Sequence, residues 1–170
     1  SRMGGTLLPM RRVQVEMVQT DSNAIITGAR TIGEMPKDAN DSSLFLFLRF
    51  GQAAEMVLML TEEGEPMPKI HDLLCQFLQI AGTEEDPLPA FQLRLLFLLG
   101  LLPYQQDDRR YAKLSREGQL CVAAFANNAP LRAFMDLPLR TEEIDRFRTL
   151  LIQDSLNRPM KSAGLHMTQY

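Results

Sequence analysis

Cysteine and histidine are scarce in this chain. Cys75 and Cys121 stand far apart, and His71 and His166 are the only imidazoles among its 170 residues. With no Cys-x-x-Cys pair, these four residues are too scattered to supply the ligand set of a zinc site. Two cysteines within apolar helical sequence read instead as reduced core residues of a cytoplasmic protein. A phosphate-cradling loop is also missing: Arg2-Met3-Gly4-Gly5-Thr6 lacks the strand before it and the Lys-Ser/Thr after it. The longest apolar run, residues 88–103, falls short of the roughly 20 residues a membrane span requires. No apolar signal-peptide core precedes Arg11 and Arg12. Metal, cofactor and membrane association are therefore not expected.

What is present suits a folded globular chain. Hydrophobic residues make up 45% and charged residues 23%, which excludes a disordered composition. The length allows one full core plus an appendage. A net charge of -3 and a pI near 5.4 run against a broad nucleic-acid footprint, so any basic site must be local.

Two periods divide the sequence and predict an α+β, predominantly α-helical fold. From Arg12 to Ile32 apolar and polar residues alternate, with Val13, Val15 and Met17 on one side. Thr20-Asp21-Ser22-Asn23 supplies turn chemistry, so this stretch reads as a β-hairpin. A lone hairpin is marginal in water and should pack on something or belong to a larger sheet. From Asp41 the period becomes helical. A first helix is expected over 43–60, capped by Asp41 or Ser42. A second, over 68–81, carries Ile70, Leu73, Leu74, Phe77, Leu78 and Ala81 on one stripe. The run over 88–103, interrupted only by Gln92 and Arg94, reads as a helix buried nearly all round and stopped by Gly100 and Pro103. Residues 105–110 read as a polar link. Ser115 is expected to cap a helix through Asn127 that buries Leu120, Cys121, Ala124 and Phe125. A short helical piece follows over 131–135. Thr141 is expected to cap the last helix, with Ile144, Phe147, Leu150, Leu151 and Leu156 as its core stripe, and with Glu142 and Glu143 at its positive end.

Catalytic constellations are sparse. The acid pairs Glu62-Glu63, Glu84-Glu85-Asp86, Asp107-Asp108 and Glu142-Glu143 sit at turns or helix starts, where solvation and the helix dipole account for them. His71 and Cys75 lie four residues apart on one helix, but nucleophilic catalysis also needs an orienting group and an oxyanion site. The basic residues are unevenly spread. From Arg109 to Lys161 there are ten Lys/Arg against six Asp/Glu, whereas Asp41 to Asp108 holds only Arg49, Lys69 and Arg94 against eleven acids. A basic final third on an acidic chain suits an anionic partner, either a nucleic-acid backbone or an acidic peptide.

Several segments, taken in order, resemble the RecO-type DNA repair mediators. Ser1 to Met10 is similar to the family's passage from a basic loop into a later OB-fold strand, and the hairpin from Arg12 to Ile32 is similar to the closing strands of that barrel. Ala54-Glu55-Met56-Val57-Leu58 and Glu63-Gly64-Glu65-Pro66-Met67-Pro68 resemble the first helices of its helical domain. Ala90-Phe91-Gln92-Leu93-Arg94-Leu95-Leu96-Phe97-Leu98-Leu99-Gly100-Leu101-Leu102-Pro103 is the strongest likeness. Leu114-Ser115-Arg116-Glu117 and Arg158-Pro159-Met160-Lys161-Ser162 complete the series. The resemblance implies a partial OB-fold over 1–36, lacking its opening strands, and a RecO-like helical domain over 41–170. It also implies that the natural N-terminus precedes Ser1. The cysteine-free link from Tyr104 to Lys113 departs from the family's four-cysteine finger, so the likeness carries no zinc.

The function implied is a non-catalytic mediator of DNA recombination and damage repair. Such a protein binds single- and double-stranded DNA and the acidic, aromatic C-terminal tail of SSB, and with RecR it assists strand annealing and RecA loading. Carried onto this chain, the DNA contacts would be Arg11, Arg12, Arg109, Arg110, Lys113 and Arg158. Without the opening strands, and with no aromatic residue from Arg12 to Ile32 to stack a base, DNA binding by this chain alone is expected to be weak or absent. The SSB-tail rim would be Arg140, Arg146, Arg148 and Lys161, with Phe147 or Leu151 at its floor. The competing readings are a helix-turn-helix regulator turning at Ala126-Asn127-Asn128-Ala129-Pro130-Leu131, an enzyme using Cys75, and an interaction scaffold without mediator activity.

Overall fold

The computed structural model describes residues 13–20, 24–32, 43–61, 66–81, 85–105 and 108–156. Strands β1 (Val13–Gln19) and β2 (Ala24–Thr31) form an antiparallel hairpin. Six α-helices follow: α1 (Ser43–Leu60), α2 (Pro68–Ile80), α3 (Leu88–Leu98), α4 (Arg109–Ala112), α5 (Arg116–Ala124) and α6 (Glu142–Ser155). A single 3-10 turn, Leu131–Phe134, lies between α5 and α6.

The alternating pattern of the N-terminal stretch becomes the hairpin as expected, with a break in register the pattern did not reveal. Glu16 pairs with Gly28, but Met17 pairs with Ile26, so Thr27 bulges out of β2. Its hydroxyl donates to the Glu16 carbonyl at 3.2 Å. Directly paired residues share a face, so Val13, Val15 and Met17 stand with Ile26 and Ala29. On the opposite face Arg30 Nη2 donates to Gln14 Oε1 at 2.6 Å. Every described hairpin residue is exposed or half-buried, and Met17 and Ile25 are 60% and 56% accessible.

The core is drawn from the helices. α3 is its spine, touching α1, α2, the 3-10 turn and α6. Seven of its eleven residues are buried, among them Phe91, Leu93, Leu95 and Leu96. Phe91 meets Phe77 of α2 edge-on at 4.9 Å, and Phe125 stacks on Phe134 at 4.5 Å. The helix ends where its glycine predicts. Gly100 takes a φ of 70°, Leu101 N donates to Leu96 O, and Gly100 N donates to Phe97 O. This paired closure satisfies the last carbonyls and needs a left-handed residue that glycine adopts without steric cost.

Two apolar stripes differ from expectation. In α5 Leu120 is 66% exposed, while Val122 and Gly118 are buried with Cys121. In α6 Leu150 is 45% exposed and Ile152 is buried in its stead. Both shifts follow from neighbours: α5 faces the core through Leu114, Cys121, Val122 and Phe125, which turns residue 120 outward. α5 also ends at Ala124 rather than Asn127. The polar link before it is partly helical, because Asp108 caps α4 by accepting from Arg110 N and Tyr111 N.

Candidate functional site

The basic groups resolve into three environments. The first is buried and structural. Arg94, the single charge of α3, is only 7% exposed and faces no carboxylate among the described residues. Its Nη1 donates to Phe125 O at 2.6 Å and Asn127 O at 2.8 Å, and its Nη2 to Asn128 Oδ1 at 3.3 Å. The guanidinium also lies over the rings of Phe97 and Phe134. Burial holds it below its ordinary basicity. It ties the negative end of α5 to the spine, a role hinted at only by its position inside an apolar run.

The second environment lies around α4. Arg110 is committed to two carboxylates, Asp108 at 3.2 Å and Asp154 at 2.9 Å. The Asp108 side-chain bond holds the Arg110 guanidinium above its ordinary value, and the same bond holds the Asp108 carboxyl low. Arg109 and Lys113 are exposed beside it. An open depression of about 360 Å³ adjoins this turn, lined by Leu102, Pro103, Tyr104, Gln105 and Asp108. Arg11, Arg12 and Arg158 lie outside the described residues, so only three of the six implied DNA contacts have a position.

The third environment is the one that gathers charge. Asp86, one residue before the Pro87 N-cap of α3, accepts Leu88 N at 3.1 Å and so answers the first free backbone donor of the helix. Its Oδ1 lies 3.4 Å from Arg49 Nε of α1, and its Oδ2 lies 3.6 Å from Arg140 Nη2, just ahead of α6. Arg49 Nη1 also donates to Ala81 O and Glu85 O, drawing the C-terminal end of α2 into the same junction. From α6, Arg148 Nη2 donates to Asp145 Oδ1 at 2.8 Å. Among the described residues, Asp86 thus lies between Arg49 and Arg140, and Asp145 holds Arg148. Arg148 has a side chain only 15% exposed, and its Nη1 is buried with no acceptor among the described residues. Desolvation lowers its basicity most, the charges of Asp145 and Asp86 oppose that, and the charge of Arg140 adds to it.

This junction unites part of the rim expected for an acidic peptide. Arg140 and Arg148 come together there. Arg146 is exposed and stands two residues from Arg148 on α6, about 200° around the helix, so it points elsewhere. Lys161 lies outside the described residues. Phe147 and Leu151 are 5% and 1% exposed and belong to the core, so they are not an open floor. Sequence reasoning missed Arg49 and Asp86, which come from a helix and a link distant in sequence. Asp86 lay among the acids read as a solvated turn.

Other candidate chemistry is thin. His71 Nε2 lies 3.7 Å from Cys75 Sγ, and His71 Nδ1 lies 3.5 Å from Asp72 Oδ1, along the outer side of α2. No group of three or more metal-ligating side chains occurs among the described residues. Cys121 is buried, and desolvation pushes its thiol up to about 11. The segment after Asn128 is a single 3-10 turn with Leu131 and Phe134 buried, so it presents no recognition helix. No helix among the described residues is long and apolar enough to cross a membrane.

Fold and site together define a mostly helical protein with an N-terminal β-hairpin and a mixed arginine–aspartate junction on its helical part. Compared with family models, with curated proteins and with solved structures, the chain finds no match.

Proposed function

We propose that this chain is a non-catalytic, RecO-type mediator of recombinational DNA repair that works in the cytoplasm by docking the acidic C-terminal tail of SSB, with RecR and DNA as further partners. The observation that carries this reading is the junction around Asp86, where exposed Arg140 is held only by a 3.6 Å ion pair and Arg148 adds a second positive charge close by. Positive charge so placed, partly withdrawn from water, favours a ligand that brings its own carboxylate. The helical part is the expected place for it, and the ordered family-like segments supply the wider context.

Fewer groups are open to DNA. Arg109 and Lys113 are exposed and free to approach a phosphate backbone, whereas Arg110 is held by Asp108 and Asp154. Binding should therefore be weak and fall steeply with salt.

The test is fluorescence anisotropy with a labelled acidic peptide ending in phenylalanine. The wild-type chain should bind it, and Arg140→Glu should weaken binding about tenfold or more, the scale expected for reversing one charge-assisted contact. Peptide binding that is absent, or unchanged in Arg140→Glu, overturns the reading. Annealing of complementary oligonucleotides, followed in parallel, should be accelerated by the chain at low salt.

A further inference from the structure

The junction holds its arginines unequally, and Asp86 is the reason. One oxygen of Asp86 is anchored: Oδ1 accepts Leu88 N at 3.1 Å and sits 3.4 Å from Arg49 Nε. The other has a loose hold. Oδ2 stands 3.6 Å from Arg140 Nη2, beyond hydrogen-bonding range, and the Arg140 side chain is 61% exposed. Arg140 is therefore attracted to Asp86 without being fixed by it. Arg148 faces the same carboxylate electrostatically but spends its one bond on Asp145, leaving Nη1 buried and unanswered among the described residues. That donor is sealed from solvent, so Arg148 adds positive charge beside Asp86 while Arg140 is the guanidinium open to a ligand.

We propose that Asp86 is an internal competitor for the peptide carboxylate: the ligand's terminal carboxylate displaces it from the exposed Arg140 guanidinium, so that Asp86 sets the affinity of the site. This inference rests on the tail-docking reading and adds its regulation. A carboxylate that closes on Arg140 gains a charge-assisted hydrogen bond, whereas Asp86 offers Arg140 only a 3.6 Å ion pair. The same fixed negative charge repels the incoming one from a few ångströms away, so neutralising it strengthens binding. Asparagine is the appropriate probe, because its side-chain oxygen can still accept Leu88 N at the start of α3.

The experiment compares the full 170-residue chain with Asp86→Asn, using the labelled acidic peptide with either a free terminal carboxylate or a terminal amide. Asp86→Asn should bind the free-carboxylate peptide about 3- to 10-fold more tightly, the range for removing one partly screened like charge. The gain should largely vanish for the amide. Asp86→Ser, whose hydroxyl can also accept Leu88 N, should reproduce the gain, and thermal melts of both variants report that the helices are intact. Equal, measurable binding by wild type and both variants, or an equal gain for carboxylate and amide, overturns the inference and leaves tail docking standing. Absence of binding by every form overturns tail docking and the inference with it.

Discussion

Arg94 shows how one side chain can be indispensable without being part of a working surface. It answers the buried carbonyl of Phe125 from inside the core and the carbonyl of Asn127 at the core's edge. Arg94→Met keeps the volume and loses the donors, and it should destabilise the chain by about 1–3 kcal/mol for the buried Phe125 carbonyl left unpaired. Urea denaturation would measure this as a lower midpoint at unchanged slope; an unchanged midpoint would show that the carbonyls find other donors. Cys121 makes a second residue-scale case. Its thiol is raised from 9.0 to about 11 by burial, so its ionised form is disfavoured in the folded state. The stability this reflects is fully present below pH 9 and is lost as pH rises toward 11. The drop in denaturation midpoint over that window should be smaller in Cys121→Ala. Iodoacetamide should alkylate Cys75 in the native protein and reach Cys121 only on unfolding.

At the scale of elements, α5 and α6 are joined by a cap that crosses between them. Glu143, in the first turn of α6, accepts from Ser115 N at 2.6 Å and Ser115 Oγ at 2.7 Å, while Ser115 Oγ accepts from Gly118 N. The cap explains the glycine, since a Cβ at Gly118 would stand 2.6 Å from Glu143 Oε2 and 3.3 Å from Leu114 Cβ. Glu143→Ala should cost about 1 kcal/mol, as loss of a cap does. Gly118→Ala should destabilise the wild type but cost less in the Glu143→Ala background, because the obstructing carboxylate is gone. A double-mutant cycle with coupling below about 0.3 kcal/mol would contradict this account. Much at this scale was legible in advance. Pro68 opening α2, Thr141 capping α6 and Gly100 closing α3 are local signals whose physics is complete within a few residues. The outward turn of Leu120 and Leu150, and the short α4, were not legible. Each depends on which neighbour a helix meets, and several rotations satisfy the same apolar content.

The whole molecule has an uneven distribution of burial. The helices share one core organised on α3, while no described hairpin residue is buried. Native-state hydrogen exchange should accordingly find the least protection in β1 and β2 and the most in α3, since an exposed two-stranded hairpin is marginal by itself. Hairpin amides as slow as those of Leu93 to Leu96 would contradict this. The sequence by itself determined the change of period after the hairpin, the extents of α1 and α2 to within a residue, and the burial of the Leu-rich spine. Those properties follow from side-chain spacing and local backbone chemistry. Tertiary structure alone decided which charges meet. Arg140 and Arg148 could be grouped by their nearness in sequence, but Arg49 and Asp86 come from α1 and the link before α3. Arg146 leaves the group because helix geometry turns it away. Phe147 and Leu151 leave it because the core claims them. Coulombic partners are chosen by distance in space, and sequence periodicity records only the face on which each charge begins.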